Sequence, residues 1–181
     1  QRYPEVQFQM EDMHSDVLAE SIKHGDADIA VGLHFDTPMC IESRLILTDE
    51  IMAVVSQRHP LAQLRKLHWH DLKDQSLVVL RRGTTYEMIA AVLLEQGVNM
   101  NAPQNLMSIE SLYALVHSHL KVGVISSLNR QALRDQQLCY LPVDRPQLAR
   151  KISLMKHCRR ADTPLLVQTF WDMLCDELDA R

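Results

Sequence analysis

Apolar and polar residues alternate over Val6-Gln7-Phe8-Gln9-Met10, the period of a half-exposed strand. Ser15 then stands as an N-cap, Asp16 falls in the first turn, Lys23 and His24 in the last, and Gly25 just beyond. That order suits the helix dipole and a left-handed C-terminal stop. Ala27-Asp28-Ile29-Ala30-Val31 ends on Gly32 and predicts a buried parallel strand, so residues 6 to 32 are expected to form a β-α-β unit. Ile41 to Leu47 and Ile51 to Ser56 predict two further strands separated by Thr48-Asp49-Glu50. His59-Pro60-Leu61-Ala62 predicts a turn, and Leu64 to Leu72 a short helix or loop.

A second α/β pattern begins at Ser76. Leu77-Val78-Val79-Leu80 predicts a buried strand, and Thr84 with Glu87 a capping box ahead of a helix that Gly97 stops. Ser108 caps the next helix, whose apolar stripe is Ile109, Leu112, Leu115 and Val116. Val122-Gly123-Val124-Ile125 predicts another buried strand, followed by Ser126-Ser127, a helical stretch to Leu133 and an extended run from Leu138 to Val143. Lys151 to Lys156 is extended, and Thr163-Pro164 opens a last helix as N-cap and first residue, striped by Val167, Phe170, Trp171, Leu174 and Leu178. The fold class expected is α/β.

With 181 residues, 46% hydrophobic and 23% charged, the composition is that of an ordinary globular chain. A net charge of −4 argues against a surface that grips nucleic acid by itself. No apolar run approaches the roughly 20 residues of a bilayer-spanning helix, so no membrane partner is expected. Opening on Gln1 rather than Met, the sequence is expected to be a piece of a longer chain. Cys40, Cys139, Cys158 and Cys175 show no C-x-x-C spacing and are expected to be free thiols in a reducing cytoplasm. His68-Trp69-His70 lacks a third ligand at suitable spacing; an exposed surface stretch is expected there, with no metal and no cofactor.

In open α/β sheets ligands gather beyond the carboxyl ends of the strands. Two such ends stand out. Gly32, Leu33 and His34 follow one strand; Arg81-Arg82-Gly83-Thr84-Thr85 follows another and opens a helix. A helix start with arginine and hydroxyls is suited to an anion. Arg81, Gly83, Thr84 and Thr85 are therefore candidate contacts, joined by Ser108 and by Ser126 and Ser127 at the end of the Val-Gly-Val-Ile run.

Arg2-Tyr3-Pro4-Glu5-Val6, Gly25-Asp26-Ala27-Asp28-Ile29-Ala30, His59-Pro60-Leu61-Ala62, Asp71-Leu72 and Val122-Gly123-Val124-Ile125, in that order, resemble the effector-binding domain of LysR-type transcriptional regulators. The resemblance implies two Rossmann-like lobes of the periplasmic-binding-protein type II kind, joined by two crossing strands near Asp49 to Ser56 and Asp144 to Lys151. Residues 1–52 and 149–181 would form lobe I, and 53–148 lobe II. It also implies a small effector between the lobes, which the arginine and hydroxyl cluster at 81–85 suits to be anionic, and a cytoplasmic homodimer or homotetramer, without catalysis. DNA would be reached only through an N-terminal helix-turn-helix that this chain does not contain. The family domain begins with a strand and helix absent here, Gln1-Arg2-Tyr3 being that helix's tail. Val6 to Met10 and Asn129 to Leu133 are the candidate subunit contacts. The rival readings are a solute-binding protein of the same architecture and a hydrolase or transferase in the same crevice that depends on Ser126.

Overall fold

The computed structural model describes residues 3–13, 15–34, 39–81, 83–99, 106–132, 137–158 and 164–180. Helix α1 (Ser15–His24) leads to strand β1 (Ile29–Leu33), and β2 (Ile41–Ser56) follows. Two 3-10 turns (Pro60–Gln63 and Trp69–Leu72) flank β3 (Leu67–His68). Then come β4 (Leu77–Val79), α2 (Gly83–Glu95), α3 (Ile109–His117), β5 (Val122–Ser126) and α4 (Ser127–Ala132). Strands β6 (Leu138–Asp144) and β7 (Ala149–His157) and helix α5 (Leu165–Asp179) complete the chain.

One sheet runs through the molecule in the order β1-β7-β2-β5-β4, with β6 on β2 and β3 on β6. Its axis is β2. Residues Ile41 to Glu50 pair antiparallel with β7, whereas Ile51 to Ser56 pair with β5 and β6. The apolar core divides the same way. Around the first half, Leu18, Ile22, Ala30, Ile41 and Met155 cluster under α1, and Leu154, Trp171 and Cys175 under α5. Around the second half, Val55, Trp69, Leu93 and Val124 belong to one cluster, and Val54, Leu112, Val116 and Ile125 to another under α3.

The helix stops follow the sequence. Gly25 and Gly97 have φ of 78° and 65°, the left-handed region glycine adopts without strain. Ser108 caps α3 through a bond from the Ser111 N–H. Other expectations fail for physical reasons. Residues 6–10 form no strand: none of their backbone pairs with the sheet, and Phe8 instead rests on Phe170 of α5 with ring centroids 4.9 Å apart. The unit is α-β, not β-α-β. Strand β1 is antiparallel to β7 rather than parallel, and with one side open Val31 is 59% exposed. The two runs around Thr48-Asp49-Glu50 are one continuous strand with an irregularity between Leu45 and Leu47.

Trp69 is fully buried rather than exposed, because Leu72 and Leu67 pack with it and its indole N–H donates to the Pro146 carbonyl at 2.7 Å. Helix α2 begins at Gly83, so Thr84 lies inside the first turn rather than ahead of it. Helix α5 begins at Leu165, making Pro164 its cap, one position later than the sequence suggested. Arg82, Leu133 and Thr163, and the side chains of Ser15 and Asp16, lie outside the described residues.

Gly123 sets how closely α3 lies on the sheet. A Cβ there would stand 2.5 Å from Val54 Cγ1 and 2.8 Å from Leu112 Cδ2. Gly123→Ala is expected to destabilise the protein by about 1–3 kcal/mol, the usual effect of overpacking a filled core. Denaturant unfolding of the variant measures it; an unchanged midpoint would show that the helix–sheet contact yields freely.

Candidate functional site

Asp49 is the residue on which the site is built. It lies in the middle of β2, directly opposite Arg150 of β7, and is fully buried. A buried carboxylate requires several donors, and this one has them. Oδ2 accepts from Ser126 Oγ at 2.6 Å and from Arg150 Nε at 2.6 Å. Oδ1 accepts from Ser127 Oγ at 2.7 Å and from the Leu128 N–H at 3.1 Å. Burial pushes the carboxyl up, but the hydrogen bonds from Ser126, Ser127 and Arg150, with the arginine charge, outweigh it. The net displacement is below the usual aspartate range.

Arg150 carries the network onward. Its Nη1 donates to Thr85 Oγ1 at 2.6 Å, in the first turn of α2. One guanidinium thus spans from the β2–β7 ladder to the helix that follows β4. The residue after Arg150 reaches the other candidate strand end: the His34 N–H donates to the Lys151 carbonyl at 2.8 Å. His34 Nδ1 also lies 3.1 Å from Ser153 Oγ.

The structure therefore gathers Thr85, Ser126 and Ser127 into one bonded cluster and sets His34 beside it along β7. Gly32, opposite Ser153, has a different local role, since a Cβ there would run into Leu18 of α1. Leu33 is half-buried opposite Ile152. Arg81 is exposed, its N–H tied to the Leu106 carbonyl at 3.0 Å. Gly83 opens α2 with φ of 67° and Thr84 is exposed beside it. Ser108 is engaged within its own helix, with Ser111. Among the described residues, no group of three or more His, Cys, Asp or Glu converges on a metal position.

Sequence reasoning missed Asp49 and Arg150. The signal for Asp49 was an acid inside a strand-length apolar run, read as a break. Arg150 had no such signal, because its partner is 101 residues away.

Removing the carboxylate would strand Arg150 and two hydroxyls. Asp49→Ala is expected to cost about 3 kcal/mol, the lower end for breaking a buried pair because the Arg150 side chain keeps 19% of its surface in solvent. The pH dependence has a defined sign. Because the folded carboxyl is more acidic than the unfolded one, its stabilisation is complete above about pH 4–5 and is lost as pH falls through the lowered folded value. Asp49→Asn should flatten that acid limb of stability against pH. An identical limb in the variant would mean Asp49 is not the group responsible.

Comparison with known proteins identifies the family and the fold. The family model described as the LysR substrate binding domain matches residues 1–179. A probable nitrogen assimilation transcriptional activator of Synechococcus elongatus is 24% identical over 162 residues, covering 86% of this chain and 52% of that protein. The chain spans about half the length of the first curated relatives it matches. Among solved structures, the Synechocystis CcmR regulatory domain in complex with 2-PG superposes with a TM-score of 0.79 at 15% identity, over 96% of this chain and 84% of that one. The BenM effector binding domain with its effector benzoate gives 0.72 at 17% identity, over 95% and 82%. The fold is the type II periplasmic-binding-protein fold of these domains. A match that spans nearly the whole chain, on that fold, is decisive: the chain belongs to the LysR substrate binding domain family.

Proposed function

We propose that this chain is the ligand-sensing and oligomerisation domain of a LysR-type DNA-binding transcriptional regulator, holding a small anionic effector between two lobes. Lobe I comprises residues 1–52 and 149–181, and lobe II residues 53–148. The observation that carries the reading is the chain of bonds from Asp49 through Arg150 to Thr85. The pair stands where β2 leaves β7 and takes up β5 and β6. A ligand that prefers one inter-lobe arrangement shifts the equilibrium by its differential affinity for it. The whole regulator is a cytoplasmic homodimer or homotetramer, and contacts DNA through a helix-turn-helix N-terminal to this chain.

The anionic character follows from the donors. The Thr85 hydroxyl accepts from Arg150; among the described residues it has no acceptor for its own hydrogen, and Arg150 Nη2 has no partner. Arg81 lies four residues before Thr85 in the chain, just ahead of α2. A carboxylate or phosphate oxygen matches this set. That CcmR holds 2-PG and BenM benzoate supports the same class. Catalysis is not part of this reading: the Ser126 hydroxyl donates to Asp49, whose depressed pKa makes it a poor proton acceptor at neutral pH. Among the described residues no helix is long and apolar enough to cross a membrane. The matched family and relatives, which are regulators, do not favour the solute-binding alternative.

Calorimetric titration with benzoate, 2-PG and a panel of small carboxylates and phosphates tests the proposal. Arg81→Ala and Thr85→Val are each expected to weaken binding of the responding anion about tenfold or more, the loss of one charge-assisted bond. Thermal midpoints should stay within a few degrees of the parent. Parental affinity in both variants would show that the ligand sits elsewhere.

A further inference from the structure

The ladder of β2 and β7 does not stop at its last paired residues. Ile41 lies opposite His157, and one step further the Cys158 N–H donates to the Cys40 carbonyl at 2.8 Å. Cys40 and Cys158 are therefore direct cross-strand partners at a hydrogen-bonded position. Such pairs have Cα atoms about 5.5 Å apart, and their side chains project from the same face. A disulfide needs Cα atoms roughly 4.4–6.8 Å apart. Both thiols are free and partly exposed, so small oxidants and reductants reach them. The Cys158 thiol donates to the carbonyl of Met39, the residue next to Cys40, at 3.2 Å. The remaining cysteines have no comparable partner: Cys139 faces Val55 across β6 and β2, and Cys175 is buried between α5 and β7.

We infer that Cys40 and Cys158 form a reversible redox site, a cross-strand disulfide made and broken by exchange with a low-molecular-weight disulfide. One cysteine thiolate attacks a sulfur of the small disulfide, forming a mixed disulfide and releasing one small thiolate. The second cysteine thiolate attacks the protein-side sulfur of that mixed disulfide and releases the other small thiolate. Two cysteine thiols become one S–S bond, the small disulfide is reduced to two thiols, and the two protons pass to them. The bridge would fasten the outer end of the two strands that carry Asp49 and Arg150.

The protein is equilibrated with oxidised and reduced glutathione at a series of ratios, its free thiols alkylated, and its non-reduced peptides weighed. A Cys40–Cys158 linked peptide pair, lighter by two hydrogens and abolished by reductant, is expected to grow with the oxidised fraction while Cys139 and Cys175 remain alkylated. Cys158→Ser should leave a glutathione adduct persisting on Cys40, because the resolving thiol is gone. Full alkylation of both residues at every ratio would overturn the inference. So would bridging to Cys139 or Cys175, linkage only between separate chains, or two stable glutathione adducts on the parent protein.

Discussion

A single buried carboxylate governs how the middle of this molecule is arranged. Asp49 is out of contact with solvent, so every lone pair it presents must be met from within the protein. The donors come from three places: the end of β5, the start of α4, and the facing strand β7. Each has to be in position for the others to be tolerable. Arg150 would be a costly cation at that depth without Asp49, and Ser126 would be a buried hydroxyl without an acceptor. The polar knot thereby fixes the register of β2 on β7 at the point where the sheet changes partners.

Around that point the apolar core does ordinary work. On one side α1 and α5 close over β7 and the first half of β2, with Lys156 held by Glu42 and Gln168 above the Trp171 ring. Arg44 joins Asp179, so the last turn of α5 is tied to the first half of β2. On the other side α3 lies close on β5 because Gly123 has no side chain to hold it off. Trp69 fills the space beneath β6 and finds its one acceptor in Pro146. The halves meet through β2, β7 and the arginine bridge, and α1 also touches α2.

Local chemistry made much of this readable from residues alone. Gly25, Gly97 and Ser108 mark helix ends by rules that need no distant partner, and the runs at 77–79 and 122–125 are buried strands as their composition requires. What failed depended on partners far along the chain. Val6 to Met10 has the alternation of a strand but pairs with nothing described, so backbone hydrogen bonding, not pattern, decided its state. The direction of β1 came from β7, and the burial of Trp69 from Pro146. The serines and Thr85 of the candidate site were visible as hydroxyls at strand and helix ends. The ion pair that binds them together was not, since 101 residues separate its members.

A double-mutant cycle on Asp49 and Arg150, using Asp49→Asn, Arg150→Gln and the double variant, read by denaturant unfolding at neutral pH, measures how far this ion pair holds the strands together. If the pair holds them together, the two single losses are far from additive, with a coupling on the order of 1–3 kcal/mol. If the losses add to within about 0.5 kcal/mol, β2 and β7 hold together without the ion pair.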